Sequence, residues 1–395
     1  MDFVGQIGSE AYININVATG SPREASEWLE YMTTDQPSTL GNRRKANGHS
    51  APYRVKYLGI GNESWGCGGN MTADSYVEKL KLYTTFVQNL NPAYKSGIKY
   101  IRSPEDTQRI AVGPEDDKPE YTEAVMKAWK DSRPWRWGFE GLSLHHYTMG
   151  ATPLSSPATG FDEKDYALFV KQTLGMDAII AQHSAIMDKY DPGKKVALVV
   201  DEWGTWLKPL PDTNPRFLKQ QNSLRDAILA SLNLNIFARH ADRVRVANIA
   251  QMVNVLQAMI LTDGEKMLLT PTYHVFRMYV PFQDATSLPV EISAGNYEIS
   301  IPRVDAIAAR GKDGKLWLAL TNIDPNAAAD INAAVPGIVV KGASGETLTA
   351  PKIDSINSFD SPNAVAPVSF SAGVRDGKLD LHLAPKSITV VQVQE

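Results

Sequence analysis

The chain has 395 residues, 43% hydrophobic and 21% charged, enough to bury a large core and to carry one big domain beside a smaller one. Its 40 basic and 44 acidic residues are interspersed for a net charge of -4, which argues against a nucleic-acid or anionic-membrane partner and favours a neutral substrate. Cys67 is the single cysteine, so an intramolecular disulfide and a cysteine-based zinc or iron-sulfur cluster are excluded, and no apolar run reaches the roughly 18 residues of a membrane span.

Residues 1–7 read as the last turns of an amphipathic helix closed by Gly8, an odd place to begin, so the gene is expected to start further upstream. The opening MDFVGQIGSE lacks the basic start and apolar stretch of a signal peptide, which assigns the chain to the cytoplasm. From residue 11 to residue 251, short β-branched or apolar runs alternate with helical periods, the signature of βα units and a parallel sheet. The predicted strands are 11–17 (AYININV), 55–62 (VKYLGIGN), 109–112 (RIAV), 141–145 (GLSLH), 196–201 (VALVVD) and 244–251 (VRVANIAQ). Helices are predicted over 23–32, 73–90, 121–131, 162–189 and 218–240, one after each of the first five strands, with a further helix over 270–279. Beyond it the segments 297–304, 316–321, 366–370 and 388–393 are short, β-rich and separated by turn residues, which predicts an antiparallel β-sandwich, with 326–334 as a surface loop. The domains expected are therefore an α/β catalytic domain over 1–280 and a β-sandwich over 281–395.

Polar and aromatic residues gather where the predicted strands end, which in a parallel α/β barrel is the active-site face. The run Gly59-Ile60-Gly61-Asn62-Glu63-Ser64-Trp65-Gly66-Cys67-Gly68-Gly69 invites a nucleotide-loop reading, but Ser64 stands where a dinucleotide fingerprint needs glycine, and no Gly-Lys-Ser/Thr ending follows. Glu63 beside Trp65 is better read as a general acid whose carboxyl an apolar wall raises; the bland alternative is a solvated loop glutamate. The run Asp201-Glu202-Trp203-Gly204-Thr205-Trp206 again carries a buried-type strand into acids and tryptophans, and its alternative is a structural acid pair facing lysines or helix ends. Two carboxylates from different strands are what a double-displacement glycosidase needs, one to protonate the leaving oxygen and one to attack the anomeric carbon, while aromatic faces suit a sugar ring.

In Leu144-His145-His146-Tyr147 the adjacent histidines point to opposite faces of a strand, so they cannot readily share one metal ion. Hydrogen bonding to substrate or to a catalytic carboxylate is the favoured role for the one that faces the pocket. Cys67 has no obvious basic partner and is expected to be a buried, inert thiol.

The strings YLGIGNESWGCGGNM, SLHHY, DEWGTW, NIAQMVNVLQAMILTDGEKM and LTPTYHVFRMY, in this order and spacing, resemble the α-L-arabinofuranosidases of glycoside hydrolase family 51. The resemblance implies a (β/α)8-type barrel followed by a sandwich, and retention through a covalent arabinosyl-enzyme with Glu63 as acid/base and Glu202 as nucleophile. It further implies that Asn62 hydrogen-bonds the sugar's 2-hydroxyl, that His145 and Tyr147 support Glu202, and that Trp206 and Gln251 line the arabinose subsite. No metal or organic cofactor is implied.

Against that family the chain enters the barrel just before the third strand, about two βα units short, with the sugar-contacting glutamate of the first strands missing. Six strands leave two open edges, at 11–17 and 244–251, from which a homo-oligomer is expected. The function expected is release of terminal α-L-arabinofuranosyl residues from arabinan- or arabinoxylan-type poly- or oligosaccharides. The alternatives are an endo-β-1,4-glucanase or xylosidase on the same framework, or an inactive carbohydrate-binding remnant, since misplacement of about 1 Å already costs about a hundredfold.

Overall fold

The computed structural model describes residues 1–94, 106–116, 118–132 and 137–395. In chain order its elements are α1 (Asp2–Gln6), β1 (Tyr12–Ile15), α2 (Pro22–Thr33), α3 (Thr39–Ala46), β2 (Tyr57–Ile60), α4 (Ala73–Phe86), β3 (Gln108–Ala111), α5 (Pro119–Lys130), β4 (Gly141–Thr148), α6 (Glu163–Leu174), α7 (Met176–Tyr190), β5 (Ala197–Thr205), α8 (Leu224–Arg239) and β6 (Val244–Ile249). There follow a hairpin, β7 (Ile260–Asp263) and β8 (Lys266–Leu269), then α9 (Pro271–Met278) and β9 (Thr286–Leu288). The remaining strands are β10 (Asn296–Glu298), β11 (Ile301–Pro302), β12 (Val304–Arg310), β13 (Leu316–Asn322), β14 (Ala329–Ala333), β15 (Gly342–Leu348), β16 (Val368–Arg375), β17 (Lys378–Leu383) and β18 (Ser387–Gln394).

Each of the six predicted α/β strands is a strand, and they lie in the order β1-β2-β3-β4-β5-β6 with β1, β2, β3 and β4 running parallel. Local chemistry starts the helices between them: Ser21 and Glu24 form a reciprocal capping box with Pro22 in the first turn of α2, and Thr72 and Asp162 accept from the backbone at the starts of α4 and α6. The single helix expected over 162–189 is two, because Gly175 ends α6 and its N–H caps the carbonyls of Lys171 and Gln172. Neither α3 nor the β7–β8 hairpin follows from the hydrophobic period of the sequence, α3 being polar on almost every side.

The chain divides into two compact units, one of residues 1–145, 179–201 and 242–246, the other of residues 146–178, 202–241 and 247–395. The first contains the body of the parallel sheet. Tyr12 of β1, Tyr57 of β2, Ile110 of β3, Ala197 and Val199 of β5 and Val246 of β6 pack into one cluster, so strands from both ends of the sheet share a core and the sheet is curled as a barrel wall is. A buried ion pair joins its strands: Arg109 reaches Glu140 through Nε at 3.1 Å and Nη2 at 2.8 Å, and its backbone N–H donates to the same carboxylate at 2.9 Å.

The second unit carries an antiparallel sheet of eight strands in the order β14-β17-β16-β15-β18-β13-β12-β9. Strands near both ends of that order, β12 and β13 with β14 and β17, bury Val304, Leu316, Leu320, Ala329 and Leu379 in one cluster with Val391 of β18, so the sheet folds across its own core in the manner of a sandwich. The expected loop over 326–334 contains β14, which pairs with β17; its small Ala, Asp and Asn side chains conceal the alternation of the strand.

Candidate active site

Glu63 sits just past the end of β2, in a turn that the backbone makes sharply. Gly61 has φ 94°, where a Cβ would come 2.7 Å from Val17, and Glu63 itself adopts φ 42°, a left-handed conformation uncommon for a non-glycine residue and a mark of functional strain. The N–H groups of Gly66 and Gly68 close the turn on the Glu63 carbonyl. The half-buried carboxyl then points to β4, where His145 Nδ1 lies 2.9 Å from its Oε1. Trp65 stands edge-on to the same imidazole at 6.4 Å and donates its indole N–H to the Gly113 carbonyl.

The sequence predicts an apolar wall that raises this carboxyl; the opposite is found. The hydrogen bond from His145 holds the Glu63 carboxyl below the usual glutamate value, outweighing burial, and the Cys67 thiol, donating to Oε2 at 3.2 Å, pulls the same way. Cys67 is exposed rather than buried and inert, because the tight turn delivers it four residues on, back beside Glu63.

On its other side the buried His145 ring meets β5, with Nε2 3.2 Å from Asp201 Oδ1. Asp201 Oδ2 in turn accepts the Tyr12 hydroxyl of β1 at 2.7 Å. Burial first, then Asp201, pushes that hydroxyl well above its ordinary value, so it remains a donor. Asp201 and Tyr12 were not singled out by sequence. The paired acids of Asp201-Glu202 were visible, but which of them faces β4 at this level depends on the pleat, and Tyr12 reads as one more apolar position in an alternating strand.

Apart from Asn62, the other predicted residues belong to the second unit. Tyr147, two residues beyond His145 on β4, donates its hydroxyl to Glu202 Oε1 at 2.5 Å. Trp206 packs edge-on to Tyr147, ring centroids 5.1 Å apart, and its indole N–H has no hydrogen-bond acceptor among the described residues. Of the two tryptophans near Glu202, Trp203 is core, fully buried against Phe237 and Phe276. Gly204 lets the strand pass close to Gln257, whose side-chain oxygen would be 3.3 Å from a Cβ there and which accepts from the Thr205 N–H at 2.9 Å. Gln251 is exposed just past β6, and Asn62 is exposed just past β2.

Parallel strands with helical crossovers, acids and tryptophans at their carboxyl ends, and a further antiparallel sheet define a glycoside hydrolase of the barrel-and-sandwich class. Comparison with known proteins gives the particular family. Residues 4–137 match the model of the alpha-L-arabinofuranosidase 1 domain, and residues 201–387 that of the alpha-L-arabinofuranosidase C-terminal domain. The chain is 40% identical over 394 residues to an intracellular exo-alpha-L-arabinofuranosidase of Bacteroides ovatus, covering 98% of this chain and 73% of that one. The crystal structure of a GH51 arabinofuranosidase from Xanthomonas axonopodis pv. citri superposes with a TM-score of 0.92 at 48% identity, over 100% of this chain and 77% of that one. An arabinose complex of an alpha-L-arabinofuranosidase from Thermotoga maritima gives 0.81 at 27% identity, over the same shares of the two chains. The chain belongs to the α-L-arabinofuranosidases of glycoside hydrolase family 51.

Proposed function

We propose that this chain is a retaining exo-α-L-arabinofuranosidase in which Glu63 is the acid/base and Glu202 the nucleophile. The observation that supports the assignment is that each carboxyl follows or ends a strand and meets a donor from β4, His145 for Glu63 and Tyr147 for Glu202. In the first half-reaction a Glu202 oxygen bonds to the anomeric carbon, the glycosidic bond breaks, and the leaving oxygen takes a proton delivered by Glu63. In the second, Glu63 removes a proton from water as that water displaces Glu202, and the configuration is restored. Asn62 is assigned to the sugar's 2-hydroxyl, and Trp206 and Gln251 to the walls of the arabinose subsite. The chemistry requires two carboxyl groups and water, with no metal or organic cofactor.

The substrates proposed are terminal arabinofuranosyl units of arabinan- or arabinoxylan-type carbohydrates, in line with the exo-acting arabinofuranosidase name of the Bacteroides relative. The word intracellular in that name supports a cytoplasmic location. The parallel sheet corresponds in this reading to six strands of an eight-stranded barrel, with the catalytic domain over 1–280 and the sandwich over 281–395, and association with a second copy of the chain covers the edges that β1 and β6 present among the described residues.

Azide rescue tests the two roles separately. Glu63→Ala should lose about 10²- to 10⁴-fold on an arabino-oligosaccharide, much less on an aryl arabinofuranoside with an acidic leaving group, and recover with azide to give a product of retained configuration. Glu202→Ala should lose turnover on both, and azide should give the inverted product. Wild-type turnover of aryl xyloside in preference to aryl arabinofuranoside would sink the substrate assignment, and a wild-type rate equal to that of Glu202→Ala would mean that the chain is no enzyme.

A further inference from the structure

The His145 ring stands between two carboxylates, Glu63 Oε1 2.9 Å from Nδ1 and Asp201 Oδ1 3.2 Å from Nε2. A neutral imidazole has one N–H and one lone pair, so in this position it would set a lone pair against a carboxylate oxygen. The doubly protonated ring directs an N–H at Glu63 and sets its positive charge 3.2 Å, an ion-pair distance, from Asp201 Oδ1, a buried oxygen that accepts no hydrogen bond among the described residues. The ring is buried, which makes an unmatched lone pair costly, and Asp201 is itself fixed by the Tyr12 hydroxyl at 2.7 Å.

We infer that Asp201, steadied by Tyr12, is a positioning residue that keeps His145 as an imidazolium, and that this ring stores the proton which Glu63 delivers to the departing sugar alcohol. The inference rests on Glu63 as the acid/base. As the glycosidic bond breaks, the Nδ1 proton passes to the Glu63 carboxylate and from it to the leaving oxygen, so Glu63 ends ionised and the ring ends neutral with its remaining hydrogen on Nε2, facing Asp201. During hydrolysis of the glycosyl-enzyme, water gives a proton to Glu63, which returns one to Nδ1, and the hydroxide oxygen bonds to the anomeric carbon. Protons and charge balance over the cycle. It also accounts for an acid whose carboxyl, in the unliganded protein, is held ionised by the neighbour that a proton donor needs.

The groups that bear on this ring come from every flanking element. Glu63 follows β2, with Cys67 on its far oxygen; Asp201 belongs to β5, with Glu202 next in the chain; Tyr12 of β1 and Tyr76 of α4 act on or through Asp201. The backbone of Glu115 bridges to His145, and its carboxylate pairs with Lys118.

Asp201→Asn removes the charge that stabilises the imidazolium, whereas Tyr12→Phe leaves that charge undivided on the ring. The basic limb of kcat/KM should therefore move about one unit toward acid in Asp201→Asn and in the opposite, alkaline direction in Tyr12→Phe. A merely structural defect would not produce shifts of opposite sign. Ring-nitrogen NMR of the histidine-labelled full chain at pH 7 should show both nitrogens of His145 protonated in the wild type and one unprotonated in Asp201→Asn. An unmoved basic limb in both variants, or a singly protonated His145 in the wild type, overturns the inference. Glu63→Gln is assayed alongside: if it shows no loss dependent on the leaving group, the acid/base reading has failed, independently of Asp201. Should Asp201→Asn not fold, Tyr12→Phe and the wild-type spectrum still decide.

Discussion

At the scale of single residues, hydrogen bonds rather than hydrophobic walls set the two carboxyl groups. Tyr147 gives Glu202 a short hydrogen bond, and one to a charged acceptor is worth about 1.5–3 kcal/mol. Tyr147→Phe should therefore lower kcat/KM on aryl arabinofuranoside by roughly tenfold to a hundredfold while leaving thermal stability near wild type, because the ring still packs on Trp206. For Glu63 the sign follows from the direction of its shift. A carboxyl held below its ordinary value by His145 contributes stability that is present above the ordinary glutamate range and is lost as pH falls through the folded value. In His145→Asn the remaining influence of burial dominates, so the part of acid destabilisation that belongs to this window should shrink. Denaturant unfolding at a series of pH values reads this as a flatter slope below about pH 4.5, and an unchanged slope would contradict it. Glu63, His145, Tyr147 and Glu202 were legible because each lies where an apolar run gives way to polar residues. The roles of Asp201, Tyr12 and Cys67 were not, since they depend on which face of β5 meets β4 and on how tightly the turn after β2 closes.

Among the elements, those with strong local signals formed where the sequence places them. The α/β strands are short apolar runs, and α2 begins at a complete capping box. Elements that owe their form to neighbours escaped notice: β15, with the sequence GASGETL, is strand only because β16 and β18 pair with it on both sides. Burial within the first unit adds an interaction that composition does not reveal, the pair of Arg109 on β3 and Glu140 at the start of β4. Removing one partner of such a pair strands a charge away from water. Arg109→Met alone should cost about 3–5 kcal/mol in denaturant unfolding, and Arg109→Met with Glu140→Leu should recover most of that loss. If the double variant is as unstable as the single one, the backbone contact from the Arg109 N–H to Glu140 carries the effect instead.

At the scale of the whole molecule, β1 and β6 each have a single strand neighbour among the described residues. An edge strand of a parallel sheet offers unpaired N–H and C=O groups, and parallel sheets are covered on both faces. The elements flanking β1 in the chain expose apolar side chains as well: Phe3 and Ile7 around α1 and Trp28 on α2, 56%, 50% and 45% exposed. Isolated apolar residues on a surface are ordinary, but three of them on the elements that adjoin β1 in the chain favour an interface. Tyr12 lies on β1 and supports Asp201, so if a second copy covers this edge, its removal would loosen the proposed proton store as well as the fold. Light scattering at micromolar concentration should thus give a mass above that of one chain, and specific activity should fall on dilution through the dissociation range. Trp28→Glu together with Ile7→Lys should bring the onset of that fall to higher protein concentration. A stable single chain whose specific activity does not change with dilution would remove association and leave the β1 edge to be covered from within the protein.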